Sequence, residues 1–237
     1  MATPPIVLVP GFWLGAWAWD EVAAILNDAG HEVTAVTLPG LESADTDRSD
    51  VTLSDHVEAI RAAVEAAGPP AVLAVHRGTG FAGYAVTDRV PEHIAAMVYV
   101  DSGPGKGAPQ GDFEGVELPL PPQKELEEGE NLDGLNNEQL ATFRQRAVPQ
   151  PGGALREEIA LTNDARLDVP STVICTAYPA EELRAYAAEQ DPTWLRGLAE
   201  LRDVTWIDLP TSHWPMWSRP RDLAEVISGI AKGGAGA

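Results

Sequence analysis

The chain is poor in cysteine and in positive charge, and it has no long apolar run. Its single cysteine, Cys175, makes no intrachain disulfide, and no Cys/His cluster has the spacing of a zinc site. Cys175 lies in an apolar stretch and reads as a small core residue. Only 16 basic residues face 36 acidic ones, giving a formal net charge of -20. That balance argues against nucleic acid and against an anionic membrane as partner. It also means that an anionic substrate needs a local positive group to enter. No stretch is long enough to span a bilayer. The first residues lack a basic segment followed by a long apolar core, so no signal peptide is expected and the expected location is the cytoplasm.

What is present fits one domain. A length of 237 residues suits a single α/β domain with a sizeable core. Charged residues at 22% and hydrophobic ones at 44% place the chain among globular proteins. Six short apolar runs read as strands: Ile6 to Val9, "EVTAVTL" from Glu32, "AVLAV" from Ala71, "IAAMVYV" from Ile94, "STVICTA" from Ser171 and "DVTWIDL" from Asp203. They are nearly continuous and rich in β-branched residues, as strands covered on both faces must be. Amphipathic patterns between them predict helices over Asp20–Ala29, Ser54–Ala67, Gly78–Arg89 and Pro220–Ala231. Ser54 and Glu58 lie near a helix start, and Pro220 suits a first helical turn. Strand–helix alternation implies a mostly parallel sheet with right-handed crossovers.

Residues 102–169 break the rhythm, with no convincing strand. The segment opens on a Gly/Pro-rich loop and turns acidic at "QKELEEGENLDG"; helical pieces are expected near Asn137–Val148 and Leu155–Thr162. So long an insertion in a compact domain is expected to act as a lid. The tail "KGGAGA" is expected to fray.

The stretch "VLAVHRGTGFAGY", Val72 to Tyr84, is a strand, a sharp Gly-bearing turn and a helix start, with Arg77 at the tip. Together with "VLVPGFWLGAWAWDEVAAIL", "AVTLPGLESAD" and "DVTWIDLPTSHWPMWSRPRDLAEVI", it resembles the α/β-hydrolase superfamily, in the compact branch of small esterases, plant-type methylesterases and hydroxynitrile lyases. The resemblance covers most of the chain outside the insertion. It implies a mostly parallel six-stranded sheet flanked by helices, with 1–237 as one domain and 102–169 as a helical lid.

In that family a serine at the turn tip attacks, a histidine takes its proton, an acid orients the histidine and backbone N–H groups hold the oxyanion. Here Arg77 stands in the serine slot of a G-x-S-x-G motif, and Val75 and Thr79 replace both flanking glycines. An arginine stays protonated and is no nucleophile. Thr79 is the nearest hydroxyl in sequence but is expected to point into the fold. The histidine slot is His213 in "TSHWPMW". The acid is either Asp101, at the end of the fourth strand, or a group near Tyr178, with Glu181 and Glu182 close by. The oxyanion donors correspond to the backbone N–H groups of Phe12 and Gly78. Trp13, Trp214 and Trp217 are candidates to line a pocket for a flat apolar ligand, while Trp17 and Trp19 read as core. His76 reads as a packing residue, and His31, His56 and His93 as solvated.

Three functions fit. In the first, His213 is a general acid/base and Arg77 binds negative charge, in lyase, isomerase or cyclase chemistry on a small apolar, partly anionic or aromatic metabolite. In the second, the protein binds a ligand without turning it over. In the third, it is a hydrolase of esterase or epoxide-hydrolase type with an atypical nucleophile or an activated water. None implies a cofactor or a metal, and each takes a small molecule as partner.

Overall fold

A computed structural model describes residues 3–189 and 193–233. The last residues of the tail expected to fray, 234–237, lie outside the described residues. In chain order the elements are β1 (Ile6–Val9), α1 (Asp20–Asp28), β2 (Val33–Ala35), α2 (Leu53–Ala67), β3 (Ala71–His76), α3 (Gly80–Arg89) and β4 (Ile94–Val100). There follow β5 (Glu117–Leu118), α4 (Gln123–Gly129), α5 (Asn137–Arg146), β6 (Gln150–Pro151) and α6 (Gly152–Arg156). The chain continues through β7 (Ser171–Cys175), α7 (Ala180–Ala188), β8 (Val204–Asp208), α8 (Pro215–Ser218) and α9 (Pro220–Ala231).

Six of these strands form one sheet in the order β2-β1-β3-β4-β7-β8. Every pairing within it is parallel. The strands alternate their side chains between two apolar layers. Val7, Val9, Leu73, Val75, Met97 and Val173 face the layer of α2, α3 and α7. Ile6, Leu8, Val72, Ala74, Val98 and Ile174 face that of α1 and α9. Burial on both faces is why these runs carry no polar alternation.

Three details differ from the sequence expectation. The helix α2 starts at Leu53, because Thr52 caps it and forms a reciprocal capping box with Asp55. The helix after β3 is preceded by a 3-10 turn, Arg77–Thr79, and begins at Gly80. His31 and His56 are buried rather than solvated: His31 hydrogen-bonds Ser228 Oγ at 2.7 Å, and His56 Nε2 bonds the Pro39 carbonyl at 3.0 Å. Each ring has a partner outside its own element, Ser228 on α9 and Pro39 in the loop after β2, which no local pattern announces.

The interval between β4 and β7 also holds two short strands that the sequence did not show. β5 and β6 pair antiparallel, Glu117 with Pro151 and Leu118 with Gln150. The helix expected over Leu155–Thr162 is instead α6, which ends at Arg156, and α4 lies within the acidic stretch. The interval is tied down at several points. Val148 N–H donates to the Trp13 carbonyl at 2.9 Å, His213 N–H to that of Asn131 at 2.8 Å, and the Gln139 amide to that of Trp217 at 2.9 Å.

Candidate active site

The site forms at the C-terminal ends of β3, β4 and β8, where open parallel sheets place their ligands. β3 runs extended to His76, and the chain then reverses at Arg77 with φ +53. Among the described residues, the non-glycine residues at positive φ are Trp13, Arg77 and Asp101. A side chain in that region costs of order 1–3 kcal/mol and persists only where the surroundings enforce it. Arg77 and Asp101 border one cavity, and Trp13 packs against the Arg77 guanidinium. Next to Arg77, a Cβ on Gly78 would lie 2.1 Å from the Phe12 ring, so a larger residue would have to push that ring aside. Two residues on, a Cβ on Gly80 would lie 2.2 Å from the Gly103 carbonyl oxygen, which lets the helix start close to the loop after β4.

Arg77, His213 and Asp101 are brought together. Asp101 follows β4, and its Oδ2 hydrogen-bonds the His213 Nδ1–H. Asp101 Oδ1 accepts from the N–H groups of Thr176 at 3.3 Å and Ala177 at 3.4 Å. It is therefore Asp101, and not Glu181 or Glu182, whose carboxylate meets the ring. The loop after β7 supplies backbone donors to that carboxylate. Burial alone would raise the Asp101 pKa; its interaction with the His213 ring, with hydrogen bonding from Thr176, outweighs it and holds the carboxyl at about 2.

On the other side of the ring, Arg77 Nη1 donates to His213 Nε2 at 2.5 Å. A guanidinium only donates. The imidazole must therefore offer its Nε2 lone pair and carry its proton on Nδ1, facing Asp101. Arg77 lies over the Trp13 ring, 5.4 Å from its centroid, and its Nη2 pairs with Glu130 at the end of α4. The second oxygen of Glu130 is 4.0 Å from His213 Nε2.

His76 braces the histidine loop from below. Its Nε2 donates to the His213 carbonyl at 2.8 Å, and the two rings are 5.2 Å apart. Burial, then the interaction with the His213 ring, push the His76 pKa down to about 3. Thr79 is turned away from the site: its hydroxyl donates to the His76 carbonyl at 2.6 Å. Among the described residues, no hydroxyl is hydrogen-bonded to the His213 ring.

Arg77, Asp101, Glu130 and His213 line a cavity of about 390 Å³ with Phe12, Gly78, Phe81 and Trp194 among its walls. Trp13, Trp214 and Trp217, expected to line a pocket, do not border it. Trp13 and Trp214 are buried, and the Trp13 indole N–H donates to the Leu118 carbonyl at 3.0 Å. Trp217 stacks on Trp17 at 5.6 Å and on Trp214 at 6.2 Å, against Phe143 of α5. The two loops pack on each other beneath the insertion, so the indoles turn into that contact. The aromatic wall comes instead from Phe12, Phe81 and Trp194. Tyr178, weighed for the acid slot, borders the cavity and is 49% exposed.

Fold and site together place the chain in the alpha/beta hydrolase family, whose profile matches residues 6–226. The chain belongs to that family. It is 35% identical over 244 residues to a carbendazim hydrolyzing esterase from a Nocardioides species, across 94% of this chain and 98% of the relative. It is 25% identical over 257 residues to methylesterase 7 of Arabidopsis thaliana, across 95% of each. Among solved structures, a variant of tomato methylketone synthase I in complex with beta-ketoheptanoate superposes with a TM-score of 0.74 at 19% identity, covering 98% of both chains. Among the described residues, no helix is long and apolar enough to cross a membrane.

Proposed function

We propose that this chain is an enzyme of the family that works without a serine ester, with His213 as general acid/base and Arg77 binding negative charge in a lyase, isomerase or cyclase type of reaction. The observation that supports this reading is the line Asp101–His213–Arg77 at the wall of a cavity. In it the family's nucleophile position carries a cation hydrogen-bonded to the base. Asp101 holds the ring in the tautomer whose Nε2 is basic. When Arg77 turns to an incoming anion, Nε2 is released to take a proton from a carbon beside a carbonyl. The electron pair left behind moves onto the carbonyl oxygen. That oxygen meets Arg77 and the backbone N–H groups of Phe12 and Gly78, donors set where charge develops. The proton on Nε2 is then available to a departing or rearranged group. The substrate this favours is small and apolar, with a carbonyl and an anionic or aromatic part. The interval over residues 102–169 is its lid.

A second reading, a protein that binds its ligand without turnover, is favoured by one observation, the Glu130 carboxylate seated on Arg77 inside the cavity. A hydrolase reading has the names of the relatives in its favour, but it needs a nucleophile beside His213, and the hydrogen bonds of that ring go to Asp101 and Arg77.

Three assays on the purified protein separate these. In D2O, short-chain oxo acids should exchange the C–H beside the carbonyl faster than buffer does, read by proton NMR. A chromogenic ester should turn over weakly or not at all, and a fluorophosphonate should leave the protein unlabelled. Rapid ester turnover with stoichiometric labelling sinks the proposal in favour of the hydrolase. Ligand affinity with neither exchange nor ester turnover leaves the binding protein.

A further inference from the structure

Glu130 has no part in the chemistry just described, yet it reaches the centre of the site. Arg77 uses Nη1 on His213 and its face on Trp13, and presents Nη2 to one oxygen of Glu130. The other oxygen lies 4.0 Å from His213 Nε2. One carboxylate thus bridges the cation and approaches the base. The chain that carries it is fixed by the next residue: the Asn131 carbonyl accepts the His213 N–H at 2.8 Å, and the Asn131 amide donates to the Thr211 carbonyl at 3.1 Å. With the backbone pinned at that point, the side chain of Glu130 is the part left to turn.

The two acidic side chains bordering the cavity have different commitments. Asp101 is held by His213 and two backbone N–H groups, whereas Glu130 has Arg77. A cation drawn partly out of water needs an anion, and removing its partner leaves a costly unpaired charge. Two carboxylates crowded on one guanidinium edge repel each other. An anionic ligand and Glu130 therefore exclude each other at Arg77. Among the described residues no second Arg or Lys borders the cavity, and Phe12, Phe81 and Trp194 give it apolar surface. With the chain at a net charge of -20, Arg77 is the feature that lets an anion stay.

We propose that the Glu130 carboxylate is an internal stand-in for the carboxylate of the ligand: the site takes a small organic monocarboxylate with an apolar tail, and Glu130 leaves Arg77 when that ligand binds. This rests on the reading of Arg77 as the anion-binding group and adds the ligand class and its competitor. A ligand carboxylate in the place of Glu130 would lie about 4.0 Å from His213 Nε2. The same competition keeps out anions without a tail, since only apolar burial offsets the loss of the Arg77–Glu130 pair.

The test titrates hexanoate and its uncharged isostere hexanamide into the full chain, in wild type and Glu130→Gln, by calorimetry. The expected result is about tenfold tighter hexanoate binding in Glu130→Gln, the scale of one charged hydrogen bond regained, with hexanamide unchanged. Arg77→Ala should weaken hexanoate in both backgrounds. Unchanged or weaker hexanoate binding in Glu130→Gln overturns the inference, as does equal tightening of hexanamide or no hexanoate binding in either protein. Circular dichroism checks the fold, and Glu130→Ala repeats the comparison if the glutamine variant is impaired. Tightening without deuterium exchange in any oxo acid sinks the catalytic reading alone. Exchange without tightening sinks the Glu130 inference alone.

Discussion

Arg77 Nη1 donates to Nε2 of His213 at 2.5 Å, so in this state a cation covers the lone pair that the base would use. On the proposed reading the pair is a resting arrangement, and the base becomes available when an anion draws the guanidinium away. In that proposal the arginine at the tip couples anion binding to base release, which a serine in the same place would not do. The turn that holds it is strained at φ +53, so its backbone fixes where the side chain starts.

Arg77→Ser alone should not give an efficient esterase. The new hydroxyl would sit on a turn flanked by Val75 and Thr79, and Glu130 would lose its cation while staying close to His213. Misplacement of about 1 Å can cost a hundredfold in rate. The double variant Arg77→Ser with Glu130→Gln should hydrolyse a chromogenic ester faster than the single one. Rates typical of an esterase from the single variant would refute this.

Gly78→Ala should destabilise the protein by about 1–3 kcal/mol, the range for forcing extra volume into a packed place. Its Cβ would lie 2.1 Å from a Phe12 ring atom, and Phe12 is itself a wall of the cavity. Urea unfolding measures the loss. A variant within about 0.5 kcal/mol of wild type, the ordinary scatter of surface substitutions, would show that the ring moves aside freely.

Much of the fold was legible because the strands are short, apolar and separated by helical patterns. β1, β3, β4 and β7 begin where the apolar runs at Ile6, Ala71, Ile94 and Ser171 begin. His213 could be named because the loop after β8 follows a motif. Glu130 could not, since it is one acid among several in "QKELEEGENLDG", and only the fold shows which one turns inward. Trp13, Trp214 and Trp217 misled for a similar reason: an indole on a loop carries no signal of the face it turns to. Trp194 left no signal either, lying in a segment without a motif.

Acid should weaken the fold partly through His76. Its ordinary pKa of 6.5 falls to about 3 in the fold, because burial and the interaction with the His213 ring disfavour the protonated ring. Between those two values the unfolded chain binds the extra proton. Stability then drops as the pH falls through this window, by up to about 1.4 kcal/mol per pH unit for one such group, and His76 contributes nothing above it. Urea unfolding from pH 7 to pH 4 should show a shallower loss in His76→Gln than in wild type. His56, also lowered chiefly by burial, keeps part of the slope in both. Equal slopes would contradict the assignment.

The most direct measurement of the central claim is the deuterium exchange rate of one responsive oxo acid with wild type, His213→Ala and Arg77→Ala side by side. A general base is worth about a hundred- to ten-thousandfold, so His213→Ala should lose at least a hundredfold in rate. Arg77→Ala should lose about tenfold or more on the acid, the scale of one charged hydrogen bond, and much less on the corresponding amide. Wild-type exchange rates in His213→Ala, or equal losses on acid and amide in Arg77→Ala, would contradict the account.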